Sequence, residues 1–78
     1  VNTRTDERGE TLYGDAPLID HDGYAVEVIA EPGDHHMHLR VATEPAGGVK
    51  LRADLTPPQV RELRDRCDAY LNDHQEKP

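Results

Sequence analysis

Between Tyr24 and Leu55 the chain alternates apolar and polar residues three times over. In YAVEVIA, Tyr24, Val26, Val28 and Ala30 fall on one side and Ala25, Glu27 and Ile29 on the other. In HMHLRVA, Met37, Leu39 and Val41 face away from His36, His38 and Arg40; in GVKLRADL, Val49, Leu51, Ala53 and Leu55 face away from Lys50, Arg52 and Asp54. A period of two residues marks a strand with one buried face, so the pattern predicts a three-stranded antiparallel meander. The connections agree with it: EPGD (31–34) is a Pro-Gly turn and TEPAGG (43–48) a longer Gly-rich loop. A tight turn at Pro32-Gly33 sets Val28 against Met37, Val26 against Leu39 and Tyr24 against Val41. Pairing Val41 with Val49 then sets Leu39 against Leu51 and Met37 against Ala53. Pro-Gly suits a type II turn, which splays hairpin strands, and a longer loop would shift the first register.

Period two gives way to period three to four after Leu55. Thr56 has the character of an N-cap, Pro57 that of a first helical residue and Gln59 completes a capping box, with Leu55 and Val60 spaced as a hydrophobic staple. Val60, Leu63, Cys67, Tyr70 and Leu71 then form one apolar stripe, expected to pack on the inner face of the sheet. The opposite side carries Arg61, Glu62, Arg64, Asp65, Arg66 and Asp68, with Glu62 and Arg66 in the favourable i, i+4 order of a solvated face. The expected fold is therefore α+β, with order β-β-β-α, occupying 24–74, and a frayed tail at 75–78. Residues 1–23 hold six acids against two arginines and the turn formers Gly14, Asp15 and Pro17, and read as a flexible acidic arm. Its apolar clusters, Leu12-Tyr13 and Leu18-Ile19, allow a fourth short strand or an arm folded across the outer face.

Composition makes this core thin. The 78 residues are 35% hydrophobic, with no Trp, no Phe and one cysteine, so no internal disulfide is available. Domains of this size compensate with a metal or with oligomerisation, and a homodimer is the expectation. There is no apolar run long enough for a membrane span or a secretory leader, and the chain reads as cytoplasmic without membrane contact. A net charge of -7 argues against general polyanion binding.

The stretch PGDHHMHLRV raises the question of chemistry, since Asp34, His35, His36 and His38 crowd five positions. The expected register stacks Ile29, His36 and Asp54 in one outer row, Glu27, His38 and Arg52 in the next, and Ala25, Arg40 and Lys50 in the third. His36 and His38 share a face, and with Asp54 they are the metal ligands if there are any, two imidazoles and a carboxylate being a zinc or iron half-site. Arg52 opposes a dication there, and no cofactor is assigned. His36-Met37-His38 followed by Glu44 resembles the metal motif of cupins in miniature, but a jelly roll needs about eight strands and this chain is too short for one. The chain has no serine, and Cys67 lies on the apolar stripe, so no enzyme is expected.

What the outer face does offer is charge segregation. His36, His38, Arg40, Lys50 and Arg52 form a locally basic surface on an acidic protein, and this is the candidate interaction surface. The functional expectation is a non-enzymatic protein-interaction or regulatory accessory module that binds itself or another protein. The alternatives are nucleic-acid binding, disfavoured by the lack of central aromatics for stacking, an acidic mimic of DNA, and a His-based metal site.

Overall fold

The computed structural model describes residues 1–45 and 47–74; the frayed tail expected at 75–78 lies outside them. Five strands precede one helix: β1 (Thr3–Thr5), β2 (Thr11–Ile19), β3 (Ala25–Ala30), β4 (Met37–Glu44), β5 (Gly47–Leu55) and α1 (Pro57–Asp73). All five lie in one antiparallel sheet in chain order. The α+β class, the meander and the C-terminal helix agree with the sequence reading. Residues 1–23, however, are not a free arm but two strands of the sheet.

Two identical turns place those strands. Asp6-Glu7-Arg8-Gly9 and Asp20-His21-Asp22-Gly23 each close on the leading aspartate, whose Oδ1 accepts from the amides two and four residues on at 2.8 to 2.9 Å. In each, the glycine N–H donates to the aspartate carbonyl at 3.1 Å, and the glycine takes a left-handed φ, 81° at Gly9 and 89° at Gly23. An Asx carboxylate followed by a left-handed glycine is a hairpin connection with its own bulge.

β2 is the fourth strand that the clusters Leu12-Tyr13 and Leu18-Ile19 allowed, and a larger irregularity explains why it does not alternate. Tyr13 pairs with Val28 and Leu18 with Val26, so the residues 14–17 stand opposite Glu27 alone. Such a bulge bends and twists its strand, and Gly14, at φ 111°, supplies the bend. It also breaks the alternation on which the sequence reading depends.

The later hairpins keep the expected faces but not the expected register. Val28 pairs with Leu39 and Val26 with Val41; Leu39 pairs with Ala53 and Val41 with Leu51. Both pairings have slipped by two residues. The cause at the first is that Glu31–Asp34 forms the Pro-Gly turn and Asp34 prolongs it, its Oδ1 accepting from the His36 amide at 2.9 Å, so that β4 starts only at Met37. A two-residue slip preserves the side of every residue. Hence Ala25, Glu27, Ile29, His38, Arg40, Ala42, Lys50, Arg52 and Asp54 still share a face, here the charged face. Val26, Val28, Ala30, Met37, Leu39, Val41, Leu51, Ala53 and Leu55 share the other, the apolar face.

Burial inverts the expectation. The buried apolar residues among those described are Leu12, Ala25, Ile29 and Ala42, all on the charged face, together with the buried Glu10, Glu27 and His38. The apolar face is open: on β5 Val49 is 70% and Leu51 73% exposed. The helix does not close it. Its predicted start is as expected, with Thr56 Oγ1 accepting from the Gln59 amide and Gln59 Oε1 from the Thr56 amide, and Glu62 pairs with Arg66 at 3.1 Å. Yet no helical residue is buried, and α1 packs chiefly against β5, meeting the rest of the sheet only across the cleft at its first turn. Val60 and Leu63 are half-buried, whereas Cys67, Tyr70 and Leu71 are exposed.

Candidate functional site

The charged face is a set of ion pairs closed on itself. Glu27, 5% exposed, receives the Arg4 guanidinium at 2.7 Å, and Arg40 lies 3.9 Å from its second oxygen. Arg4 reaches it because the arched β2 offers the Gly14 carbonyl as a second acceptor at 2.8 Å. One row along, His38 is 2% exposed and lies between carboxylates. Its Nδ1 meets Asp54 Oδ1 at 2.5 Å, and its Nε2 meets Asp34 Oδ2 at 3.0 Å, with Glu31 Oε2 at 3.8 Å. Arg52 spans Glu31 at 3.1 Å and Asp54 at 3.2 Å.

These contacts set the protonation of the group. The hydrogen bond to Asp54 raises the His38 pKa above its ordinary value of 6.5, outweighing burial, which lowers it, and the bond to Asp34 adds to the rise. The Asp54 carboxyl is held low chiefly by the same bond from His38. Asp34 is held down to about 2, first by the His36 amide and then by the His36 ring. An imidazolium donating from both nitrogens thus ties the 31–36 loop to β5.

The predicted basic surface is accordingly dismantled. His38 is beneath the surface. His36 is not on the strand at all but in the preceding loop, its Nδ1 on Asp34 Oδ1 at 3.0 Å. Arg40 and Arg52 face acids within the same sheet, leaving Lys50 exposed at the edge without an ion-pair partner among the described residues. The predicted ligand set of His36, His38 and Asp54 is also split, since Asp34 separates the two rings.

Sequence reasoning missed Glu31 and Asp34, which with His38 bring their ligand atoms within 4.8 Å of one another. A histidine whose far nitrogen donates to a carboxylate is the usual support of a metal ligand. Here, however, Asp34 is already saturated by His36 and His38, and the guanidinium bridging Glu31 and Asp54 opposes a second cation. The exposed trio Asp20, His21 and Asp22 is likewise engaged, because Asp20 caps its own turn.

Glu10 is the other buried acid, and its pKa is raised, first by its hydrogen bond with Asp6 and then by burial. A carboxyl with a raised folded-state value favours the fold below its ordinary 4.5 and opposes it once ionised. Glu10→Gln is therefore expected to raise the melting temperature at pH 7 by a few degrees and to leave it nearly unchanged at pH 4, as followed by circular dichroism. A fall at pH 7 would contradict this account.

Apolar chemistry is concentrated elsewhere. A cleft of about 460 Å³ opens where the first turn of α1 leaves the sheet, lined by Tyr13, Val28, Ala30, Met37 and Val60 with His35 and His36 at its rim. It runs out onto the open face, where Leu18, Tyr24, Val49 and Leu51 are exposed. The chain has no serine, and Cys67 is not among the residues that line the cleft. No known protein family, curated protein or solved structure matches the chain. Among the described residues no helix is long and apolar enough to cross a membrane.

Proposed function

We propose that this chain is a small non-catalytic interaction module, a regulatory or accessory domain that assembles with a polypeptide through the open apolar face of its sheet. One observation carries the reading: among the described residues the fully buried ones lie on the charged face of the sheet, whereas the apolar face holds none and exposes Leu18, Tyr24, Val49 and Leu51. Exposed apolar side chains are ordinary when scattered, but a contiguous face of them marks a contact surface. The charged face supports no competing reading, because Arg4, Arg40 and Arg52 are neutralised within the sheet and leave few cations for phosphates. The apolar face also lacks the row of aromatics on which bases stack.

The test is a charge placed in the middle of that face. Leu51→Glu is expected to keep the circular dichroism of the parent and to weaken assembly by about 30-fold or more, the effect of losing a central anchor. The measurement is the mass of the protein purified gently from its own cells, by native mass spectrometry and sedimentation. Parent protein running above 8.7 kDa, with Leu51→Glu at the monomer mass, supports the reading. A parent that is a bare monomer, or a complex that survives the substitution, sinks it.

A further inference from the structure

We infer that the occupant of the open face is α1 of a second copy of this chain, the two copies exchanging helices in a two-fold dimer. The inference rests on the interaction reading above and names its partner. It begins from an excess of surface. A monomer of 8.7 kDa is expected to expose about 4,700 Å², whereas this chain exposes 6243 Å². The excess, about 1,500 Å², is more than the roughly 800 Å² that each partner contributes to a standard interface. The radius of gyration agrees, at 13.8 Å against about 11.5 Å for a compact chain of this length.

The missing contacts are complementary within one sequence. The sheet lacks a layer over Leu18, Val41, Val49 and Leu51, and the helix lacks a floor under Cys67, Tyr70 (61% exposed) and Leu71 (59%). The dimensions match: 17 helical residues span about 25 Å, and the nine residues of β5 about 30 Å.

The helix does not cover its own sheet because of how it leaves it. Thr56 alone separates β5 from α1, it is extended at φ -71° and ψ 160°, and both halves of the capping box fix the first turn. Pro57 and Pro58 stiffen that turn further. Only Pro57, Val60 and Arg61 therefore reach the cleft wall, and the stripe beyond Leu63 diverges from the sheet. A second copy supplies the helix that the first cannot fold back. Exchange by a two-fold axis covers both sheets at once and leaves no surface for further growth.

The native Cys67 is the probe. Leu39→Cys, Leu51→Cys and Ala53→Cys, each made singly, place a thiol on the open face. A mixture of ¹⁵N-labelled and unlabelled protein is unfolded, refolded together and mildly oxidised, and the linked peptides are read by mass. Exchange predicts that at least one variant links its new position to Cys67 with mixed labels, and that Cys67→Ala abolishes the link. Linked peptides found only with a single label, with no mixed pairs, would mean that the helix folds onto its own sheet, and overturn the inference. So would linkage of Cys67 only to another Cys67, which pairs helix with helix. A parent that sediments as a monomer at every concentration would overturn it too. If a different polypeptide then co-purifies and Leu51→Glu releases it, the interaction reading survives while the exchange does not.

Discussion

Glu27→Ala is expected to remove most of the stability of the fold, costing about 3–5 kcal/mol in a chain whose total is on the order of 4–12 kcal/mol. The reason is asymmetry. With Glu27 present, the Arg4 and Arg40 guanidinia face a carboxylate beneath the sheet surface; without it, two cations are left half-buried beside each other. The loss also travels through the chain, because Arg4 is the residue by which β1 and the arched part of β2 are tied to β3. Urea unfolding at fixed protein concentration measures it. A cost under about 1 kcal/mol, the usual worth of an exposed pair, would mean that the pair is solvated and that burial of this face has been overstated. A second variant separates charge from packing. Replacing all three residues together, Arg4→Met, Glu27→Leu and Arg40→Leu, should be far less harmful than Glu27→Ala alone, since a fully apolar substitute strands no charge.

The second large effect is a stability that depends on pH through His38. Its folded-state value is raised, so the fold binds that proton more tightly than the unfolded chain does. The stabilisation is complete below the unfolded value of about 6.5 and disappears as pH rises through the folded one. Asp34 and Asp54 act in the opposite sense: their values are lowered, so their contribution holds above the ordinary carboxylate range and is lost on acidification, for Asp34 as pH falls through about 2. The joint contribution of these three groups is highest between about pH 4.5 and 6.5, with a decline on the alkaline side to which Glu10 adds as it ionises. His38→Asn should reduce that alkaline decline and lower the melting temperature by several degrees at pH 5.5, with the difference from the parent narrowing as pH rises. An alkaline decline that persists undiminished in the variant would assign the dependence to another group.

How much of this was legible in the sequence differs from one segment to the next. β3, β4 and β5 were read because an uninterrupted period of two needs only one buried side to persist. Their shared faces survived a wrong register, since a slip of two residues is invisible to alternation. β2 was legible only as the optional fourth short strand that Leu12-Tyr13 and Leu18-Ile19 allowed, because Gly14, Ala16 and Pro17 occupy an arch, where four residues stand across from one and alternation stops carrying information. A signal was nonetheless present. DERG and DHDG are the same turn written twice, and two such turns frame the segment 11–19 as surely as Pro32-Gly33 frames the next hairpin.

The site was harder to read for a different reason. Alternation says which residues share a side, not which side is covered. The rule that the apolar side faces inward assumes a helix able to lie on it, and a single linking residue with a fixed cap withholds that helix. Asp34 was missed as a partner of His38 because it acts from a loop whose length the Pro-Gly turn does not reveal.

Since each strand pairs only with its neighbour in the chain, the sheet contains no crossover. Pairing between chain neighbours keeps the loops to be closed short, and a mixed chain of this kind folds at a pace between that of helical bundles and that of all-β domains. The first three hairpins each carry their own Asx-capped or Pro-Gly turn, so zipping can begin at several places and spread outward. The sheet can then be complete before any encounter with another molecule. Under the proposed assembly a partner would meet a finished surface, and the concentration-dependent step would be a separate, later kinetic phase.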